Sequence, residues 1–261
     1  MQSMRIVARL TAALAIVLLL GAAAAPQPKP AFSLKTKNAE IEVTIDDALR
    51  TYPGLYDNLL AEGRRDAAKW SKEADQTRRE ASETFAGGRR HSFDRSYKER
   101  SVVGRYVAIL RDDGSYAGGA HPNSVADTIL WDSAAKKRVS IRPFLKESAD
   151  DGPTMTAMAK LVRQAACAEK EKRASSCEDP ANLTSITPKL LGLGPVTPAP
   201  STEAGKSSGL TFHFSPYAIG AYAEGPYTAF VPWTAFKDYL SPEGAALFGG
   251  TRPDSDVKEL D

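Results

Sequence analysis

Two stretches of the sequence carry residues whose types and spacing suit recognition or proton transfer. The first is Tyr116-Ala117-Gly118-Gly119-Ala120-His121-Pro122-Asn123, which contains one of the chain's 3 histidines. Its paired glycines accept positive φ at little cost, and Pro122 biases His121 toward an extended backbone, so local geometry holds the imidazole. The second is Ser215-Pro216-Tyr217-Ala218-Ile219-Gly220-Ala221-Tyr222-Ala223-Glu224-Gly225-Pro226-Tyr227. Its tyrosines recur at a spacing that fits neither helix nor strand. On a backbone bent by glycine and proline they offer rigid apolar area with a polar tip, which suits stacking on sugar rings or docking a partner protein.

Three chemistries are open to these residues. The loops could form a binding surface, with Tyr116, Gly118, Gly119, His121, Asn123, Tyr217, Tyr222 and Glu224 as the ligand-contacting set. His121 and Glu224 could instead act as general acid and base, provided the fold brings them within hydrogen-bond reach. In the third case His121 pins its own loop to a sheet and the tyrosines bond loop backbone, a purely structural role. Asp94, Asp112 and Asp113 form no recognisable metal-ligand motif, and neither metal nor cofactor is expected. Ser133-Ala134-Ala135-Lys136 has the serine–lysine spacing of penicillin-binding enzymes but falls in an expected turn with no Lys-Thr-Gly after it.

Composition narrows the class. At 261 residues, 42% hydrophobic and 25% charged, the chain can bury a sizeable core as one globular unit and is not a disordered protein. Arg5 and Arg9, the apolar run Leu10 to Leu20 and the alanines at 22–25 have the layout of a secretory signal peptide over residues 1–24. The run is short of the roughly 20 residues that span a bilayer. Removing residues 1–24 takes away Arg5 and Arg9, leaving 32 basic residues against 32 acidic ones. A neutral chain gives no reason to expect a nucleic-acid partner. Export would place the chain in the periplasm or outside the cell. Cys167 and Cys177 would meet an oxidising compartment there, where a disulfide is favoured over two free thiols.

The elements that must position the two loops follow from periodicity. Pro26-Gln27-Pro28-Lys29-Pro30 reads as an extended spacer over residues 25–31. Ile41, Val43 and Ile45 alternate as in a strand, and Thr51-Tyr52-Pro53-Gly54 reads as a turn. From Asp57 to about Phe85 the thin stripe Leu60, Ala67, Trp70, Ala74 and Ala81 predicts a long surface helix on a sheet. His91, Phe93, Arg95 and Tyr97 alternate, as do Val103, Arg105, Val107 and Ile109, with Asp112-Asp113-Gly114 as the expected hairpin turn. Val125 to Trp131 is a further strand, so the His121 loop joins antiparallel strands. Pro153 opens a second helix to about Glu171, with Met155, Met158, Leu161, Val162 and Ala165 on one face. A Pro/Gly/Ser-rich connection with one strand near Val196 follows, then strands at Leu210–Phe214 and Thr228–Val231 and a helix from Trp233 to Leu240. Trp70 and Trp131 fall on apolar faces and are expected in the core.

The order of these signatures resembles a bacterial extracytoplasmic family. The carriers are the Tyr52-Pro53-Gly54 turn and long helix, the Tyr116–Asn123 loop, and Phe214-Ser215-Pro216-Tyr217 through Gly225 followed by Val231-Pro232. The chain is similar to the paired DUF4163 and DUF3298 domains of lysozyme-sensing anti-sigma factors and of proteins with polysaccharide deacetylase domains, over about Phe32 to Phe248. The resemblance implies an α+β fold, with an antiparallel sheet carrying a long N-terminal helix and a second helix. It places a DUF4163-like part at 32–150, a DUF3298-like part at 151–250 and a tail at 251–261. It also implies a role outside the cytoplasm. Only nine residues precede the apolar run and no deacetylase domain follows, so the expectation is the binding module alone. That module would be monomeric and would recognise a lysozyme-like protein or peptidoglycan.

Overall fold

The computed structural model describes residues 29–173 and 175–260. The expected signal peptide, and the spacer as far as residue 28, lie outside the described residues.

Alternating side chains build the larger sheet. Strands β1 (Phe32–Lys35), β2 (Ala39–Ile45), β3 (His91–Val103), β4 (Tyr106–Tyr116), β5 (Asn123–Asp132) and β6 (Lys137–Val139) lie side by side in chain order. Neighbours are antiparallel except β2 and β3, which run parallel, with Ile41 opposite Phe93 and Ile45 opposite Tyr97. The expected antiparallel sheet is therefore a mixed one. Parallel pairing requires a long crossover, and helix α1 (Pro53–Glu80) supplies it.

Helix α1 starts earlier than its stripe suggests. Pro53 takes a first-turn position, where a missing N–H costs nothing, so Tyr52-Pro53-Gly54 opens a helix instead of forming a turn. Leu55, Leu59, Gly63, Ala67 and Ala74 face the sheet. At Gly63 the helix comes so close to β2 that a Cβ would stand 2.7 Å from Val43 Cγ1.

Asp112-Asp113-Gly114 is not a turn. It lies inside β4, and the chain reverses at Gly104, where φ is +55°. The acidic pair is held in an extended strand by long-range charge. Arg95, directly opposite on β3, is only 5% exposed and grips Asp113 through two hydrogen bonds of 2.6 Å. It also reaches Asp66 of α1. Arg111 bridges Glu62 of α1 at 3.0 Å and Asp127 of β5 at 2.8 Å, and Arg138 reaches the same Glu62. A layer of paired charge thus ties α1 to the sheet beside the apolar contacts.

The C-terminal half adds a smaller antiparallel sheet of β7 (Val196–Pro198), β8 (Gly209–Phe214) and β9 (Tyr227–Pro232). Helix α2 (Pro153–Lys172) buries Met155, Met158, Val162 and Ala166 in one core with Phe212, Tyr227 and Ala229. Tyr106, Ala108 and Leu130 of the larger sheet enter this core, while Val107, Ile109 and Trp131 enter the core under α1. The two long helices therefore serve different cores. Trp70 is half-buried and stacks on Phe93 at 5.6 Å.

Three short helices follow: α3 (Trp233–Phe236), α4 (Pro242–Leu247) and α5 (Asp254–Leu260). The segment expected as a tail carries α5, anchored by buried Asp256 between Arg100 at 2.7 Å and Arg252 at 2.6 Å. Cys167 and Cys177 are joined in a disulfide. Among the described residues no helix is long and apolar enough to cross a membrane.

Removing one partner of a buried ion pair strands the other, so Arg95→Ala should lower the unfolding free energy by about 3 kcal/mol. Urea titration checks this. Lys35→Ala, which removes an exposed pair with Glu40, should leave the midpoint in place.

Candidate functional site

The β4–β5 loop and the β8–β9 loop meet at the surface. Ser215 Oγ accepts a hydrogen bond from the Ala126 amide at 2.8 Å, which fixes the start of the second loop against β5. The Tyr222 hydroxyl donates to the Pro122 carbonyl at 2.7 Å. Within this frame the His121 ring stacks on Tyr222, with centroids 3.8 Å apart and planes 23° from parallel. Tyr217 tilts over both, 6.2 Å from His121 and 5.3 Å from Tyr222. His121 and two tyrosines at least 96 positions further along the chain thereby form one aromatic triad.

The hydrogen bonds set the imidazole tautomer. His121 Nδ1 lies 2.8 Å from the Pro122 carbonyl, which only accepts, so Nδ1 carries the proton. Nε2 then faces the Tyr217 hydroxyl at 3.3 Å. Gly118 and Gly119 sit at φ of +87° and +114°, and the Tyr116 hydroxyl closes the turn on the Gly119 carbonyl at 3.0 Å. Asn123 starts β5, paired with Ser115. His121 is exposed, and Tyr217 is 62% exposed at a φ of +71°, a left-handed conformation that costs a tyrosine energy.

Glu224 occupies a different position from the triad. Its carboxylate accepts from Lys170 Nζ at 2.6 Å, from the Tyr227 hydroxyl at 2.7 Å and from the Ala221 amide at 2.7 Å. It folds so closely over Gly220 that a Cβ there would meet Oε2 at 2.6 Å. The hydrogen bond from Lys170, then those from Tyr227 and Ala221, hold its pKa down at about 2. Lys170 is itself 5% exposed and also donates to the Ile219 carbonyl at 3.1 Å. Arg173 donates to the Pro226 carbonyl at 2.7 Å, and its guanidinium lies 4.5 Å from the centre of the Tyr227 ring. Glu224 thus clamps the tyrosine loop to the end of α2.

The structure therefore assembles His121, Tyr217 and Tyr222 into one surface, with Tyr116, Gly118, Gly119 and Asn123 shaping the loop that bears the histidine. Among the described residues, His121 and Glu224 make no hydrogen bond to each other. Sequence reasoning missed Lys170, Arg173 and Ser175. Lys170 had a signal: it falls four residues after Ala166 on the buried stripe of α2, where a lysine needs a partner. His213 is a core histidine, with Nε2 2.9 Å from Thr197 Oγ1 and its pKa pushed down to about 3 by burial. No group of three or more histidine, cysteine, aspartate or glutamate side chains among the described residues could hold a metal ion.

A mixed sheet carrying a long crossover helix, backed by a second core and topped by two converging loops, defines an α+β protein with an aromatic surface site. Residues 149–234, which include α2 and the tyrosine loop, match the model of the family described as "Protein of unknown function (DUF3298)". The crystal structure of a DUF3298 family protein from Pseudomonas aeruginosa PAO1 is similar in fold, with a TM-score of 0.53 at 16% identity over 83% of this chain and 90% of that one. A DUF3298 family member from Bacteroides fragilis NCTC 9343 aligns with a TM-score of 0.46 at 11% identity, over 74% and 70% of the two chains. No curated protein matches the sequence.

The depressed Glu224 pKa has a definite consequence. A folded-state value near 2 against an ordinary 4.5 contributes stability that is fully present above the ordinary value and is lost as pH falls toward 2. Wild type should exceed Glu224→Gln in stability at neutral pH, and the gap should close between about pH 4.5 and 2. Thermal unfolding of both proteins across that range measures it.

Proposed function

We propose that this chain is an exported, non-catalytic binding module of the cell envelope that recognises a cell-wall glycan through the His121–Tyr217–Tyr222 triad. The observation that carries the reading is the convergence of two distant loops on a cluster of rings in which His121 and Tyr217 are exposed and Tyr222 is half-buried. Aromatic faces of this kind suit the C–H faces of a sugar, while the Tyr217 hydroxyl and His121 offer polar contacts at the rim. The disulfide agrees with an oxidising compartment, as the expected signal peptide requires. Glu224 serves here as the anchor of the loop, since its carboxylate is already engaged by Lys170 and Tyr227.

A lysozyme-like protein is the second reading. It rests on the resemblance to the ectodomains of lysozyme-sensing anti-sigma factors and on the same exposed rings, which would serve as anchors in a protein interface.

Pull-down of the purified domain on intact peptidoglycan and on immobilised lysozyme tests both. Retention on peptidoglycan is expected, with His121→Ala combined with Tyr222→Ala weakening it at least about tenfold, the equivalent of about 1.4 kcal/mol. The circular dichroism spectrum of the double variant should match wild type. Retention on lysozyme alone would select the protein partner, and retention on neither would overturn the binding module.

A further inference from the structure

The grips that α2 exerts on the tyrosine loop share one origin. Lys170, which holds Glu224 and the Ile219 carbonyl, and Arg173, which holds the Pro226 carbonyl, both lie between Cys167 and Cys177. So does Ser175, whose Oγ is 3.2 Å from the Tyr227 hydroxyl. The backbone of this segment is wound on Lys170, whose carbonyl accepts from the amides of Arg173 at 3.0 Å and Ser175 at 2.9 Å. The covalent loop spans a separation of 10 residues and reaches little beyond the last turn of α2. The body of that helix is held by its own apolar face, through Met155, Met158, Val162 and Ala166. Helix α1 belongs to a separate core, on the opposite face of the larger sheet. Cys167 is buried, whereas Cys177 is half-buried and is the more exposed of the two.

We propose that the Cys167–Cys177 disulfide is a redox switch on the aromatic site. A dithiol reductant attacks Cys177 Sγ as a thiolate, the S–S bond breaks with its electron pair going to Cys167, and the mixed disulfide is resolved by the second thiol of the reductant. The products are two protein thiols and the oxidised, disulfide form of the reductant, so two electrons and two protons pass to the chain. Opening the loop loosens the hydrogen bonds that the Arg173 and Ser175 amides make to the Lys170 carbonyl. The clamp on Glu224, Pro226 and Tyr227 slackens, and the Tyr217–Tyr222 segment loses the support that presents its rings to His121. This inference rests on the reading of the triad as the binding face, and it adds that the face is competent only in the oxidised chain.

Hydrogen exchange tests the linkage without any ligand. The amides of Ala221, Glu224 and Gly225 should exchange at least about tenfold faster in protein reduced with dithiothreitol, and in the Cys167→Ser/Cys177→Ser variant, than in the oxidised chain. Amides of β3, β4 and β5 should be unchanged. Lys170→Met in the oxidised chain should reproduce the local effect with the disulfide intact. In the same samples, retention on peptidoglycan should fall at least about tenfold on reduction. Unchanged exchange at residues 221–225 would overturn the switch. So would acceleration throughout the molecule, which would make the disulfide a general staple. Local acceleration with no retention in either redox state would uphold the linkage while removing the glycan reading of the site.

Discussion

One strand, β4, is buried on both faces over its first half, and the architecture follows from that constraint. Tyr106, Val107, Ala108, Ile109 and Leu110 are all buried in succession. Because successive side chains point to opposite faces, Val107 and Ile109 demand cover on one side while Tyr106 and Ala108 demand it on the other. Helix α1 meets the first demand and forces the parallel crossover between β2 and β3. The second sheet and α2 meet the other, which brings the C-terminal half of the chain across the larger sheet. The loop leaving β4 then lies within reach of the loop leaving β8, and the triad is a product of that arrangement.

The site depends on a contrast between a rigid support and an exposed surface. Its rings present apolar area to water, which favours their collapse, and Tyr217 is held at a positive φ. The support is polar and partly buried: Lys170, Glu224, Tyr227 and the Ala221 amide saturate one another. A lysine as deep as Lys170 is tolerated because it is paired and hydrogen-bonded, and a carboxylate held near a pKa of 2 stays ionised to pair with it. Gly220 permits the Glu224 carboxylate to fold back, and any side chain there would push it away.

Much of this was legible in the sequence where local pattern and tertiary demand agree. The alternation His91, Phe93, Arg95, Tyr97 matches the buried positions of β3, and Pro153 opens α2 at the expected place. The His121 loop does join antiparallel strands, and Cys167 does pair with Cys177. The misreadings arose where a long-range partner overrode a local signal. Asp112-Asp113-Gly114 has strong turn chemistry, yet Arg95, directly opposite on β3, pairs with Asp113 within a strand, and nothing adjacent in sequence announces that pairing. The parallel β2–β3 pair was hidden because strand direction depends on where the crossover lands. Periodicity could suggest that both loops matter, but it carries no distance between residues 121 and 222, so their stacking needed the fold.

The claim that the triad is the ligand face is tested most directly by chemical-shift mapping of the isotope-labelled, oxidised chain with soluble peptidoglycan fragments and with lysozyme. The account predicts saturable shifts confined to the His121 ring and to residues 116–123 and 215–225, with β1–β3 and α1 unmoved. Shifts centred elsewhere, such as the cleft lined by Arg50, Tyr56 and Lys98, would contradict it. So would no shift with either ligand.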